Sequence, residues 1–333
     1  RDKRESSVLQ GVDGVDDEML LRIGPFDPFL LSHLAAPEVL AGFRRVVEQV
    51  RPDVVHFHHL NLIGAEAIAL VRHVRPSARI LLTLHDYHPI CANDGLMITR
   101  PVGNLCHGAS PDACHACFPE TPPSRFALRA RHLRNLLGLV DRFIAPSAFA
   151  RDRFIAWGLP AEAVTVVANP IDGWPKPEGG AAAPRATFGY FGNIAPHKGV
   201  LVALDAIRQL ARHPEPRCSE ARLIVHGGLQ HQDKDFVAAF AQGLRRAGSA
   251  AFHDGPYRRP DLAALMAAVE WVVVPSVWWE NAPLVILEAF RHGRPVIAAN
   301  IGGMAELVHH DVNGLLFRRG DAADLARTMA RAI

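Results

Sequence analysis

The stretch Trp271-Val272-Val273-Val274-Pro275-Ser276-Val277-Trp278-Trp279-Glu280-Asn281-Ala282-Pro283-Leu284-Val285-Ile286-Leu287-Glu288-Ala289 reads as a strand, a loop and the opening of a helix. Residues 271–274 are aromatic or β-branched and uninterrupted by charge, which suits a strand. Pro283 suits an early helical position, because its φ is fixed and its missing N–H has no helical partner there anyway. A strand feeding a helix through a short loop is one βα unit of a parallel sheet.

The same alternation recurs outward from that unit. In the second half, strands are expected at 187–191, 222–225, 251–252 and 295–298, with an amphipathic stretch over 198–212. In the first half they are expected at 53–57, 79–84, 142–145 and 164–168, with a helix-like stretch over 64–74. Between the two series lies 173–185, whose Pro, Gly and Ala content suits a linker. The expected class is α/β, with two Rossmann-like, doubly wound parallel-sheet domains at 1–172 and 186–333. Such sheets bind ligands at the carboxyl ends of their strands, here expected in the cleft between the two domains.

Composition narrows the function classes. With 333 residues, 49% hydrophobic and 21% charged, the chain is neither a collagen, a disordered tail nor a disulfide miniprotein. Lys and Arg number 36 against 34 Asp and Glu, a net charge of +2, so no basic field recommends a nucleic-acid partner. No apolar run approaches the roughly 18 residues of a membrane span, and no signal-peptide core follows the charged opening, so the expected location is cytoplasmic. The chain opens on Arg1 and stops within a helix-like stretch, 321–333. Both ends of a longer protein, including the first strand of the first domain, are therefore expected to be missing.

Glu280 falls in the strand-to-helix loop and Glu288 about two turns into the expected helix, a separation on the order of 10 Å. The amides between them open a helix N-terminus, where unpaired N–H groups and partial positive charge favour a phosphate. One carboxylate can accept from sugar hydroxyls and the other from a ribose, an arrangement suited to a nucleotide sugar. Taken alone, the pair is more simply two solvated carboxylates. Gly302-Gly303 follows another strand and permits close approach of a ligand, and Lys198 follows a third and can neutralise phosphate. Taken alone, these too have plain readings, as turn glycines and a solvated lysine.

The ordered series Gly192…Lys198-Gly199, Pro275-Ser276, Glu280-x7-Glu288-Ala289, Gly302-Gly303-x-x-Glu306 and Asn313-Gly314 resembles the family-4 retaining glycosyltransferases of GT-B fold, the glycosyl transferases group 1. In the first half the resemblance continues through Arg51-Pro52-Asp53-Val54-Val55-His56, Leu82-Thr83-Leu84-His85-Asp86, Ala145-Pro146-Ser147 and Val167-Ala168-Asn169-Pro170-Ile171. It implies a nucleotide diphosphate sugar as donor and an acceptor side in the first domain. Glu280 then meets the donor sugar hydroxyls, Glu288 the ribose, Lys198 the diphosphate, and the amides around 282–285 the phosphates. The catalytic set implied is His85, Glu280 and Lys198. The implied donor-binding set adds Gly192, Asn193, Asn281, Ala282, Pro283, Leu284, Val285, Glu288, Gly302 and Gly303. No metal or other cofactor is required for catalysis. Many family members carry Arg where this chain has Asn193, which donates hydrogen bonds but supplies no charge.

The acceptor implied is a saccharide, a lipid-linked molecule or a small molecule, in surface polysaccharide or glycolipid synthesis. Peripheral contact with the inner membrane face would fall to 125–134, which carries Phe126, Leu133 and several arginines. The alternative function is a non-catalytic nucleotide-sugar-binding or scaffold subunit of the same fold. A GT-B epimerase fits the Glu-x7-Glu arrangement less well.

His85 ends a strand in the first half, and by the resemblance it sits near the donor sugar. The plain reading is a strand-end histidine meeting water. Asp86 is read as a capping or orienting residue. His56, His58 and His59 form a denser cluster that fits an acceptor-side polar wall better than a metal site, since no third ligand is evident. Cys91, Cys106, Cys114 and Cys117 cluster in a Gly- and Pro-rich segment suited to an acceptor lid. They have the ligand number of a structural zinc site, but free thiols and a disulfide fit the spacing too. Cys218 is expected to be a separate surface thiol.

Overall fold

Runs of Val, Ile, Leu and Phe at the expected places do form parallel strands. The computed structural model describes residues 9–12, 15–21, 23–33, 36–170 and 186–333. The expected linker, 173–185, lies outside the described residues. Contacts divide the chain into two units, Arg1–Ala168 and Asn169–Ile333.

The first unit opens with a hairpin, β1 (Leu9–Val12) antiparallel to β2 (Val15–Leu21). Then follow α1 (Pro37–Val50), β3 (Val54–Phe57), α2 (Glu66–Val74), β4 (Arg79–Thr83), α3 (Pro111–Cys117), α4 (Pro123–Leu137), β5 (Arg142–Ala145), α5 (Ala148–Trp157) and β6 (Val164–Val166). Strands β3, β4, β5 and β6 form a parallel sheet in chain order, so among the described residues the order of this sheet never reverses. Helix α2 packs with β4 and buries Ala67, Ile68 and Val71, which fall on one helical face. The Ala145-Pro146-Ser147 motif has a local purpose: Ser147 caps α5, accepting from the Ala150 amide at 3.1 Å.

The second unit contains β7 (Thr187–Phe191), α6 (Val200–Leu210), α7 (Pro216–Ser219), β8 (Arg222–His226), α8 (Lys234–Ala247), β9 (Ala251–Gly255), α9 (Leu262–Ala267), β10 (Trp271–Val274), α10 (Leu284–Arg291), β11 (Val296–Ala299), α11 (Gly302–Leu307), β12 (Gly314–Phe317) and α12 (Ala322–Ala332). Its six parallel strands lie in the order β9-β8-β7-β10-β11-β12. Numbered from β7 this is 3-2-1-4-5-6, the doubly wound dinucleotide-type order, whose reversal between first and fourth strands is where such sheets bind ligands. Every residue of β7 and of β11 is buried, as strands covered on both faces require. Strand β12 has no counterpart among the strands expected from sequence.

Three expectations need correction here. Pro283 is not yet helical: with φ −66° and ψ 119° it is the N-cap, and α10 starts at Leu284, so Glu288 stands just over one turn in rather than two. Cys218 is no surface thiol; α7 packs it into the core at 1% exposure, and burial raises its pKa. Phe126 and Leu133, which made 125–134 a candidate membrane surface, are buried on α4. No helix among the described residues is long and apolar enough to cross a membrane.

Candidate functional site

At the strand-order reversal, the loop after β7 and the loop after β10 enclose a pocket of about 390 Å³ within the second unit. That volume falls in the range of small-ligand sites, about 300–1,000 Å³. Of the sequence-derived residues, Gly192, Asn193 and Lys198 line it from the β7 side. From the β10 side come Glu280, Pro283, Leu284, Val285 and Glu288. Asn281, Ala282, Gly302 and Gly303 are not in its lining, and His85 belongs to the other unit.

Glu280 is the best-anchored group in the pocket. The residue is 5% exposed, and Oε1 accepts from Lys198 Nζ at 2.7 Å and from Ser276 Oγ at 2.7 Å. Its backbone is fixed as well, because its carbonyl accepts from the Gly303 amide at 3.0 Å. A Cβ on Gly303 would lie 1.7 Å from the Asn281 carbonyl oxygen, so the second glycine of the pair exists for backbone packing of the 280–281 loop. Gly199 does the same on the lysine side. It has φ +72°, and a Cβ there would lie 1.9 Å from the Pro275 carbonyl oxygen, so only glycine lets α6 start this close to the end of β10.

Lys198 Nζ also stands 5.1 Å from the Trp278 ring centroid, and His197 packs edge-on against the same ring at 4.9 Å. Burial, helped by the Lys198 charge, pushes His197 down to about 4, so His197 is neutral at pH 7. Across the pocket, burial raises the Glu288 pKa. Burial and the Glu288 charge push Tyr257 up to about 12, and burial raises Tyr190, whose hydroxyl donates to the Asn193 carbonyl at 2.7 Å. The first amides of α10 have no helical acceptor and carry the positive end of the helix dipole. The pocket thus offers an ammonium, helix amides, two carboxylates and two phenols, a donor and acceptor set suited to a phosphorylated polyol.

The first unit gathers a second constellation at the neighbouring ends of β3 and β4. His58 Nδ1 lies 3.0 Å from His85 Nε2, and His59 Nδ1 lies 2.9 Å from Asp86 Oδ2. His56 Nε2 meets Thr83 Oγ1 at 2.7 Å. The His88 amide donates to Asp86 Oδ1 at 2.9 Å. Burial opposes the Asp86 carboxylate, but hydrogen bonds from His59 and His88 outweigh it and hold the pKa below the usual range. Burial, followed by the charges of His59 and His58, lowers His85. The hydrogen bond to Asp86 raises His59. Among the described residues no three His, Cys, Asp or Glu side chains are spaced as ligands of one ion.

Residues 9–173 match the Glycosyltransferase Family 4 sequence model, and residues 185–333 match Glycosyl transferases group 1. The chain belongs to glycosyltransferase family 4. This family-4 chain is 32% identical over 294 residues to a D-inositol 3-phosphate glycosyltransferase of Frankia alni, covering 84% of the chain and 65% of that relative. It is 30% identical over 207 residues to the protein of that name from Nocardia farcinica, covering 58% of the chain and 45% of the relative. The chain therefore spans less than two thirds of the length of these relatives. Among solved structures, Anabaena HepE in complex with UDP and glucose superposes with a TM-score of 0.63 at 22% identity, covering 90% of this chain and 73% of that one. A sucrose-phosphate synthase from Thermosynechococcus elongatus gives 0.61 at 20% identity, covering 89% and 68%. At such identities the likeness speaks for fold, and the fold is GT-B with two Rossmann-like α/β domains.

Among the pocket residues to which the sequence reading gave no site role are Tyr190, Phe191 and Tyr257. The first two sit on β7, where buried aromatics look like ordinary core. Tyr257 follows the end of β9, a strand-end position that is itself a signal in a parallel sheet.

Proposed function

We propose that the chain is a glycosyltransferase that moves a sugar from a nucleotide diphosphate donor to an acceptor hydroxyl with retention of anomeric configuration. The observation that carries this reading is the pocket at the β7/β10 reversal, where the Lys198–Glu280 pair, Glu288 and the first amides of α10 meet. With Oε1 of Glu280 taken up by Lys198 and Ser276, Oε2 is the oxygen left to accept from sugar hydroxyls. Lys198 and the amides of Leu284 and Val285 receive the diphosphate, and Glu288 accepts from the ribose. Asn193 adds hydrogen-bonding capacity without charge, so Lys198 is the principal cation. His85, neutral at pH 7, hydrogen-bonds a donor sugar hydroxyl, a role that rests on the family resemblance. The reaction needs no metal.

In the transfer step the anomeric carbon–oxygen bond to the diphosphate breaks, and a bond to the acceptor oxygen forms on the same face. The acceptor proton passes to the leaving phosphate. Positive groups fixed before the reaction stabilise the charge that develops on that phosphate, which is how preorganised electrostatics lower a barrier. The names of the relatives favour a hydroxyl-rich small molecule as acceptor. UDP and glucose in Anabaena HepE make UDP-glucose the first donor to try. A cytoplasmic setting in surface polysaccharide or glycolipid assembly follows from the resemblance alone; the buried face of α4 lends membrane contact no support.

The test is incubation with UDP-glucose and inositol 3-phosphate or a glucoside acceptor, followed by NMR of the product. An α-linked product from the α-configured donor is expected. A β-linked product would refute retention, and donor binding with neither transfer nor hydrolysis would favour the scaffold alternative.

A further inference from the structure

The four clustered cysteines share one small pocket. Cys91, Cys106, Cys114 and Cys117 all line a cavity of about 50 Å³ in the first unit, and no disulfide joins any of them. They arrive from three pieces of chain. Cys91 follows the His85–His88 segment. Cys106 closes a small hairpin, bridged at Ile98 and Leu105, with its amide bonded to the Met97 carbonyl at 2.8 Å. Cys114 and Cys117, three positions apart, lie on one face of α3. The Arg100 amide donates to Cys117 Sγ at 3.4 Å.

A second observation concerns charge. Arg129 is 3% exposed, yet among the described residues its guanidinium donates only to neutral carbonyls: Phe29 at 2.6 Å, Pro89 at 2.8 Å, and His88. Among the described residues no carboxylate stands within ion-pair distance of it. The groups whose negative charge would favour it are, in order, Cys91, Cys114 and Asp27, and Cys114 and Arg129 line a common pocket. A buried charge with no counter-charge in direct contact is costly. Four neutral thiols leave that cost in place. A zinc ion held by four thiolates carries two net negative charges and removes it.

We propose that Cys91, Cys106, Cys114 and Cys117 bind one zinc ion as a structural tetrathiolate, with Arg129 as its buried counter-charge. Zn²⁺ enters and four thiol protons leave, with no change of oxidation state. The four sulphurs are not yet spaced as ligands of one ion. Binding requires them to draw in to about 2.3 Å from the metal around the cavity they already share. The ion would pin the segment between β4 and α4, and through the Arg129 bonds to the His88 and Pro89 carbonyls it would steady the chain that carries His85 and Asp86. This inference does not depend on the donor-site reading.

The test is elemental analysis of the purified protein, with zinc release followed as the thiols are titrated by a mercurial. One zinc per chain is expected, released as four thiols react, and Cys114→Ser with Cys117→Ser reduces it to none while Cys218→Ser keeps it. Cobalt substitution should give the intense visible bands of a tetrahedral thiolate site. Chelation should speed proteolytic cutting between residues 92 and 110. Zinc far below one per chain in wild type, with a disulfide or four unliganded thiols instead, would overturn the proposal. So would zinc that survives in the double variant. If that variant does not fold, the wild-type release stoichiometry and the cobalt spectrum still decide.

Discussion

The Lys198 ammonium lies 2.7 Å from Oε1 of Glu280, although 82 residues separate the two in sequence. The carboxylate side chain is 7% exposed and the lysine 30%, so the pair is held in a half-dry corner where each charge depends on the other. Lys198→Ala strands a buried carboxylate. It should cost about 3 kcal/mol of stability, read by urea denaturation. Adding Glu280→Gln should recover most of that loss without restoring donor binding. If the single variant were as stable as wild type, the pair would not be energetically coupled.

Gly199→Ala tests the backbone that holds the lysine. The new Cβ meets the Pro275 carbonyl in a left-handed conformation, so overpacking and backbone strain add to a loss of more than about 2 kcal/mol. Thermal melting should show it clearly. A melt within a degree of wild type would mean that the close approach of α6 to β10 is not required.

Glu288→Gln tests the second carboxylate through pH. Burial raises the Glu288 pKa, so its contribution to stability is fully present below the unfolded value, about 4.3, and is lost as pH rises through the folded one. At pH 7 the glutamine variant should therefore be more stable than wild type, with the difference vanishing below about pH 4. A variant less stable at pH 7 would show that the charged form is stabilised by a partner.

Asp86→Asn tests the histidine cluster. In wild type the hydrogen bond to Asp86 raises His59, so that part of the stability is present below about pH 6.5 and fades as pH rises through the folded value. Asp86 has the opposite sign: its depressed pKa contributes stability above its unfolded value, lost as pH falls. NMR titration of the asparagine variant should show His59 returning towards an ordinary imidazole value. An unchanged His59 would assign its shift to another group.

How far the sequence reaches depends on whether a feature is local. The β10 to α10 unit was legible because Trp271–Val274, Pro275 and Pro283 signal strand, stop and helix entry within a few residues. The pairing of Lys198 with Glu280 was not, since nothing near either residue names the other. Arg129 shows the limit most plainly. On a helical wheel it is one more arginine of an amphipathic helix, and its burial depends on carbonyls at Phe29, His88 and Pro89, 40 to 100 positions away. Strand β12 was missed for a related reason: Gly314–Phe317 is only four residues long and gains its identity from pairing with β11. The Asn313-Gly314 motif that precedes it is a local lock, with Asn313 accepting from the His309 amide and donating to the Leu307 carbonyl.

The central claim is that the pocket between the ends of β7 and β10 binds a nucleotide diphosphate sugar. It is tested most directly by calorimetric titration of UDP-glucose, and in parallel GDP- and ADP-glucose, into wild type and Lys198→Ala with Glu280→Gln. The account predicts saturable one-site binding of one of these donors to wild type, with affinity lowered at least about tenfold, or 1.4 kcal/mol, in the double variant. Binding of none of the three, or equal binding to both proteins, would contradict it.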